Sequence, residues 1–348
     1  MFHSIKHEAY RLAVSLMYEN DEQRYKELQQ EAISMFEYAS KAKTKRNCIE
    51  MIDFAKSRFI EANPNVKIDE NINVLNLENG VYDFDQMKFV QHAREYYQTR
   101  ICNVSFDENA QCDVWNNFLY TVLPDADVRK YLQKIAGYTL SAYYNEKLLL
   151  ILCGGGDNGK TTFVNAIKHM LGSYATTVAP STIVDSARNR QNGPRPDLLR
   201  LRDRRLFSVS EFEKAAPLSE ALIKTMTGMG AISCRGLHKS VVEFDVTGVI
   251  WLDSNFRPEV SGTDYAIWSR LKVIPFDVRV PKYRQDKNLS EKLSKEMPGI
   301  LNWCIEGYRL YQQEGLVEPS AVRLVVNEYK EDMTALRAWW IDCVDVVE

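Results

Sequence analysis

The chain has 348 residues, 45% of them apolar and 26% charged, with a formal net charge of -3. That length exceeds what one core usually serves and predicts two or three globular domains, while the near-neutral balance excludes global attraction to nucleic acid, so any such contact must come from local basic surface. No apolar run reaches bilayer-spanning length and no apolar signal core opens the chain, which excludes a membrane reading. The seven cysteines show no C-x-x-C pairing and the five histidines are scattered, which predicts reduced thiols, no structural zinc and an intracellular setting.

In chain order, residues 1 to about 62 contain no Gly or Pro and carry apolar positions at helical spacing, with Ile49, Ile52, Ala55 and Phe59 on one stripe. This predicts a helical segment, either a collar for partners or a cap on the next domain. The texture changes at Asn63-Pro64. From Val74 to Phe106 the short runs VLNLENGVYDF, KFVQHA and YYQTRICNVSF predict a small sheet broken by an Asn79-Gly80 turn. Helical spacing returns over Trp115 to Tyr144, with Trp115, Phe118, Leu119 and Val122, then Tyr131, Leu132, Ile135 and Leu140, as core candidates.

The stretch LLLILCGGGDNGKTTF, Leu148 to Phe163, carries the strongest motif. Counted from Gly154 the spacing is G-x-x-x-x-G-K-T, in which a buried strand turns through a Gly-rich loop into a helix N-terminus. Such a loop converges backbone N-H groups on a triphosphate, and Gly154, Gly155, Gly156 and Gly159 supply positions free of Cβ. Asp157, Asn158 and Thr162 complete the candidate nucleotide-binding loop. Lys160 would reach the β and γ phosphates and the Thr161 hydroxyl would hold Mg²⁺, so ATP and Mg²⁺ are the expected ligands.

Beyond the loop helix, Arg188 to Arg205 holds seven arginines against two carboxylates, half of it a loop by its Asn192-Gly193-Pro194. It is a solvated charged loop or a contact to a neighbour's nucleotide or a nucleic-acid backbone. Leu206 to Ser210 then reads as an apolar strand ending in Glu211 and Glu213. A carboxylate at the tip of a neighbouring strand holds Mg²⁺ and orients the attacking water, which fits Glu211, with Glu213 on the same face.

From Arg204 to Val278 the runs RRLFSVSEFEK, IKTMTGMGAISCRGLHKS and VIWLDSNFRPEVSGTDYAIWSRLKVIPFDV resemble the superfamily 3 helicase core of phage and plasmid primase C-terminal domains, related to the poxvirus primase-helicase. VLNLENGVYDF, LQKIAGYTLSA and GGGDNGKTTF resemble the segment that precedes and enters that core, so the likeness covers roughly residues 70 to 340. The resemblance implies that Lys160, Glu211 and Thr161 take the nucleotide and Mg²⁺ positions and that Asn255 is the polar sensor of the γ-phosphate. It also implies that Arg270 is an arginine finger acting in a neighbouring subunit, with Arg235 the second candidate and a structural pair with Asp253 or Asp264 the alternative. A hairpin over Gly228 to Phe244 would carry His238 and Lys239 at its tip against single-stranded DNA. The segment reads TGMG where many relatives have an acidic residue after the glycines.

Residues 286 to 348 are again helical, with Leu289, Leu293, Ile300, Leu301, Ile305 and Leu310 as the apolar set of the first part. The fold expected is α/β: an AAA+-type P-loop ATPase core over 110–285, a helical and β-rich N-terminal domain over 1–109 and a short helical C-terminal extension over 286–348. The expected activity is ATP-dependent DNA helicase or translocase of a phage or mobile element, a ring, read as a hexamer, acting on single-stranded or forked DNA. Relatives of this kind often carry a primase-polymerase domain upstream, so such a domain or protein is an expected partner, and the cytoplasm of a bacterial host or virus-infected cell the expected site. The alternatives are an ATP-dependent DNA-binding initiator or loader, and a P-loop kinase of a small acceptor.

Overall fold

The computed structural model describes residues 11, 22–42, 44–62, 68–69, 71–142, 145–185, 193–210, 216–228, 230–237, 240–260 and 264–343. The chain divides into two compact units, Met1–Lys67 and Ile68–Glu348. The first holds helices α1 (Glu22–Ala42) and α2 (Lys45–Ala62). On α2 the described part of the expected stripe is exposed: Ile49 by 47% and Ile52 by 54%.

The second unit begins with an antiparallel sheet of β1 (Val74–Leu77), β2 (Gly80–Asp83) and β3 (Lys88–Val90). The β1–β2 turn sits one residue earlier than the Asn-Gly signal suggested. Leu77 pairs with Gly80, leaving Glu78-Asn79 as the two-residue loop. Gly80 is needed inside β2 because the ring of Phe89 on β3 lies 2.3 Å from where a Cβ would stand. The strand expected in YYQTRICNVSF does not form. That segment runs beside β1 with only scattered bonds, Cys102 N to Asn76 O at 2.9 Å and Glu78 N to Val104 O at 3.1 Å. Its other groups are claimed elsewhere: Asn76 Nδ2 donates to Arg100 O and the Ser173 hydroxyl accepts from Ile101 N.

Helices α3 (Asp113–Val122) and α4 (Ala126–Ser141) follow. All eight core candidates assigned to them are buried. Asp125 caps α4 by accepting from the N-H groups of Asp127 and Val128, the usual satisfaction of free helix-start donors.

The centre is a five-stranded parallel sheet in the order β10-β4-β9-β6-β5, built from β4 (Leu149–Cys153), β5 (Ala175–Thr177), β6 (Leu206–Ser210), β9 (Val249–Ser254) and β10 (Leu271–Pro275). Strands β4, β6, β9 and β10 are largely apolar and buried because both faces are covered, while the edge strand β5 reads Ala-Thr-Thr and is partly exposed. Leu150 and Leu152 of β4 face one core with α3, α4, α5 (Lys160–Leu171) and α9 (Met297–Glu314). Leu149 and Ile151 face a second core with α6 (Glu220–Met226), α7 (Tyr265–Trp268) and Tyr329 of α10 (Ser320–Cys343). Phe163 of α5 stacks between Trp115 and Trp251, with centroids 5.3 and 5.6 Å away, and so seats the helix that follows the Gly-rich loop. Between β6 and β9 the chain makes an antiparallel hairpin of β7 (Ala231–Arg235) and β8 (Val241–Asp245).

The observed packing groups the chain differently from 1–109 and 286–348. Leu75, Leu77 and Tyr82 of the small sheet, and Ile300, Leu301 and Tyr308 of α9, lie in the same core as α5. The β-rich piece and α9 therefore cover one face of the parallel sheet, and α8 (Leu289–Lys295) joins them through buried Leu293. Among the described residues no helix is long and apolar enough to cross a membrane.

Candidate functional site

The site forms at the carboxyl edge of the parallel sheet, where β4 ends and the chain turns into α5. Gly159 precedes the helix at φ 85°, a left-handed conformation that a side chain resists. A Cβ there would also stand 2.8 Å from Phe118 and 2.9 Å from Val122, so α3 presses directly on the loop. Gly156 (φ 96°) and Asp157 (φ 52°) complete the left-handed path. Gly156 N donates back to Gly154 O at 3.0 Å, folding the loop over the end of β4.

Lys160 is 3% exposed and uses its three donors on neutral oxygens: Gly154 O at 2.7 Å, Asn158 Oδ1 at 2.9 Å and Asn255 Oδ1 at 3.1 Å. Burial lowers the pKa of its amine from the ordinary lysine value, with Asp253 pulling the other way. Such an ammonium, held by neutral acceptors at a loop of backbone amides, suits an incoming anion. Asn158, read from the sequence as part of the ligand-facing loop, is 4% exposed and turned inward. Its Nδ2 donates to Phe276 O at 2.8 Å, tying the loop to the end of β10.

Asn255 follows β9, the strand beside β4, and its contact with Lys160 brings together two residues 95 positions apart. Asp253 was missed by sequence reasoning. It is 6% exposed, and its Oδ2 accepts from the Thr161 hydroxyl at 2.7 Å. The signal was present, since Asp253 and Asn255 lie two apart and reach the same edge, but the sequence offered Glu211 as the acid and nothing ranked Asp253 beside it. Thr161 and Asp253 form an oxygen pair of the kind a hard divalent cation accepts.

β6 ends at Ser210, opposite Asp253, and Glu211 and Glu213, which follow it in sequence, lie outside the described residues, as do His238 and Lys239, the residues expected at the hairpin tip. Arg270 stands at the start of β10, at the opposite edge from the loop: its carbonyl accepts from Leu149 N, the first residue of β4. Its guanidinium is turned into its own chain, donating to the Thr227 hydroxyl at 2.9 Å and to Ala266 O. The partners weighed for it are engaged otherwise, Asp264 with Lys224 at 3.0 Å and Asp253 with Thr161. Arg235, the second candidate, ends β7, where its carbonyl accepts from Arg195 N.

Behind Asn255, Arg257 lies over the Tyr329 ring at 5.6 Å and 3.5 Å from Asp332, so α10 is fastened to the loop that follows β9. The Tyr329 hydroxyl completes the attachment by donating to Pro258 O.

Residues 3–124 match the family described as D5 N terminal like. A protein of Acanthamoeba polyphaga mimivirus that bears a provisional helicase name, L207/L206, is 25% identical over 285 residues, covering 76% of this chain and 30% of its own. The protein of African swine fever virus provisionally named primase C962R is 26% identical over 255 residues, 72% of this chain and 26% of its own. The chain is similar to viral helicases and primases. A further relative, provisionally named helicase 184R of Invertebrate iridescent virus 6, is 28% identical over 240 residues, 66% of this chain and 25% of its own. The chain therefore spans about a quarter to a third of the length of these relatives. The solved apo structure of the NrS-1 C terminal region aligns with a TM-score of 0.49 at 14% identity, over 66% of this chain and 53% of that one. The family match takes in residues 3–62 of the segment whose spacing predicts helices.

Proposed function

We propose that the chain is the motor segment of a replication helicase: an ATP- and Mg²⁺-dependent DNA helicase or translocase with a P-loop AAA+ core of the superfamily 3 type. The observation that carries this reading is the convergence of Lys160, Asn158 and Asn255 on the Gly-rich loop, with Asp253 against Thr161. The strand order supports it, because β9 stands between the loop strand β4 and β6, whose continuation is Glu211. The helicase and primase names of the viral relatives favour DNA work over phosphorylation of a metabolite.

In this reading the loop amides and Lys160 bind the β and γ phosphates, and Asn255 exchanges its bond to Lys160 for one to the γ-phosphate region. Glu211, with Glu213 beside it, orients the attacking water. Thr161, Asp253 and Glu211 would hold a magnesium ion, which when bound offsets phosphate charge. Arg270, or failing it Arg235, serves the neighbouring subunit's site in a closed ring, read as a hexamer, since head-to-tail contacts around a ring give every site a donor. Acting in trans would require the Arg270 guanidinium to leave Thr227 and Ala266. His238 and Lys239 track the single-stranded backbone without reading sequence.

The test is ATP turnover with and without single-stranded DNA, then strand displacement on a forked duplex with ATP against a non-hydrolysable analogue. DNA-stimulated turnover with ATP-dependent displacement is expected. ATP-driven DNA binding with no displacement would support an initiator or loader, and DNA-independent phosphorylation of a small acceptor would overturn both.

A further inference from the structure

A cavity of about 490 Å³ opens beside the phosphate loop and shares Asp157, Gly159 and Thr162 with it. Its floor is α3, where Phe118 and Val122 lie against Gly159, and its far wall is the segment after β10, with Val280 and Leu289. That wall is fastened to the loop: Val280 N donates to Asp157 O at 2.8 Å, and Arg279 approaches the Asp157 carboxylate at 3.4 Å. The cavity and the loop amides are therefore parts of one surface. The volume falls within the roughly 300–1,000 Å³ of small-ligand sites, and the lining sets Phe118, Val122 and Leu289 among polar and charged groups that include Arg284, Gln285 and Lys292.

A nucleoside triphosphate whose phosphates lie on the loop must set its nucleoside down to one side. One side is filled by the buried cluster of Asn158, Lys160 and Asp253. The cavity is the open one. We propose that it takes the purine base of the nucleotide, held between Phe118 and Val122 on one side and Leu289 on the other, and that Gln285 reads the base edge. Gln285 Nε2 donates to Val280 O at 2.9 Å, which orients the amide and leaves Oε1 as the group free to accept. An acceptor at the base edge suits the exocyclic amine of adenine and opposes the O6 of guanine, so ATP should be preferred to GTP. This inference rests on the nucleotide reading of the loop and adds the residues that choose the base.

The test is equilibrium binding of ATP, GTP and inorganic tripolyphosphate to the whole chain in the presence of Mg²⁺. Tripolyphosphate engages the loop without a base. Lys160→Ala should weaken all three. Thr121→Trp, which fills the cavity from an exposed position on α3, and Leu289→Ala, which removes its wall, should each weaken ATP by roughly tenfold and leave tripolyphosphate within about twofold. Gln285→Ala should reduce the preference for ATP over GTP. If Thr121→Trp or Leu289→Ala, shown folded by circular dichroism, binds ATP as the parent does, or loses tripolyphosphate equally, the base site is wrong and the loop reading stands. If Lys160→Ala binds tripolyphosphate undiminished, the loop reading itself is wrong. Equal binding of ATP and GTP by the parent chain removes Gln285 as the reader.

Discussion

Two buried cations stand at opposite edges of the same sheet and are held in different ways. At the carboxyl edge, Lys160 donates to a loop carbonyl and two side-chain amides. At the amino edge, Arg205 just before β6 is 3% exposed and donates to the backbone carbonyls of Leu140, Ile72 and Val74, with its guanidinium 4.6 Å from the centre of the Tyr174 ring. The Asn255 amide, on the loop after β9, can swing aside for a ligand, whereas carbonyls of α4 and of the chain entering β1 cannot move without moving the core. In the proposed reading the charge with an exchangeable acceptor is the binding group, and the one with fixed acceptors is a brace joining the small sheet to the large one. Burial lowers the pKa of both groups from their ordinary values, so the shift does not separate them; the acceptors do.

Substitutions should divide the two edges. Lys160→Ala is expected to lower ATP turnover by on the order of a thousandfold, read in a phosphate-release assay, while shifting stability by no more than about 1 kcal/mol. Arg270→Ala is expected to remove turnover by on the order of a thousandfold while nucleotide binding survives. Turnover at the parent rate would instead make Arg270 a second brace like Arg205. Asp253→Asn should raise the Mg²⁺ concentration needed for half-maximal turnover by roughly tenfold, since one charged oxygen becomes neutral. Arg205→Met should leave ATP affinity unchanged and cost about 2–4 kcal/mol in urea unfolding, because three carbonyls lose their donor in the interior. A loss of ATP affinity without a loss of stability would remove the contrast.

The smallest effect expected is a pH dependence remote from both edges. Hydrogen bonds from Lys130 and Lys134 hold the Glu314 carboxyl down to about 2, below its ordinary 4.5. A depressed carboxylate stabilises fully above its unfolded value and loses that contribution as pH falls from about 4.5 toward 2. Glu314→Gln should therefore flatten the acid limb of a thermal-unfolding profile and leave the neutral region almost unchanged.

The loop was legible because its demands are local: four glycines, a lysine and a threonine at fixed spacing describe a path for the backbone wherever the strand lies. Helices α3 and α4 were legible for the same reason, their apolar positions repeating along one face. Asp253 was not, since its meaning depends on β9 lying next to β4, a pairing set by residues about a hundred positions apart. The inward turn of Asn158 was hidden because its partner, Phe276 O, lies just past the end of β10, 118 positions away. The course of residues 97–106 depended on competition from Ser173 and Asn76 for its backbone groups, which no pattern within that stretch reveals.

The order β10-β4-β9-β6-β5 has a consequence for synthesis. The two neighbours of β4, at Val249–Ser254 and Leu271–Pro275, are translated about a hundred residues after it. A ribosome that has just released the Gly-rich loop holds a strand with neither edge paired, and the loop cannot take its folded shape until Asn255 and Phe276 have emerged. The nascent chain should thus gain protection from protease in one late step, after the length passes Phe276, and a chain stopped before β9 should expose LLLILC as an unpaired apolar edge prone to self-association.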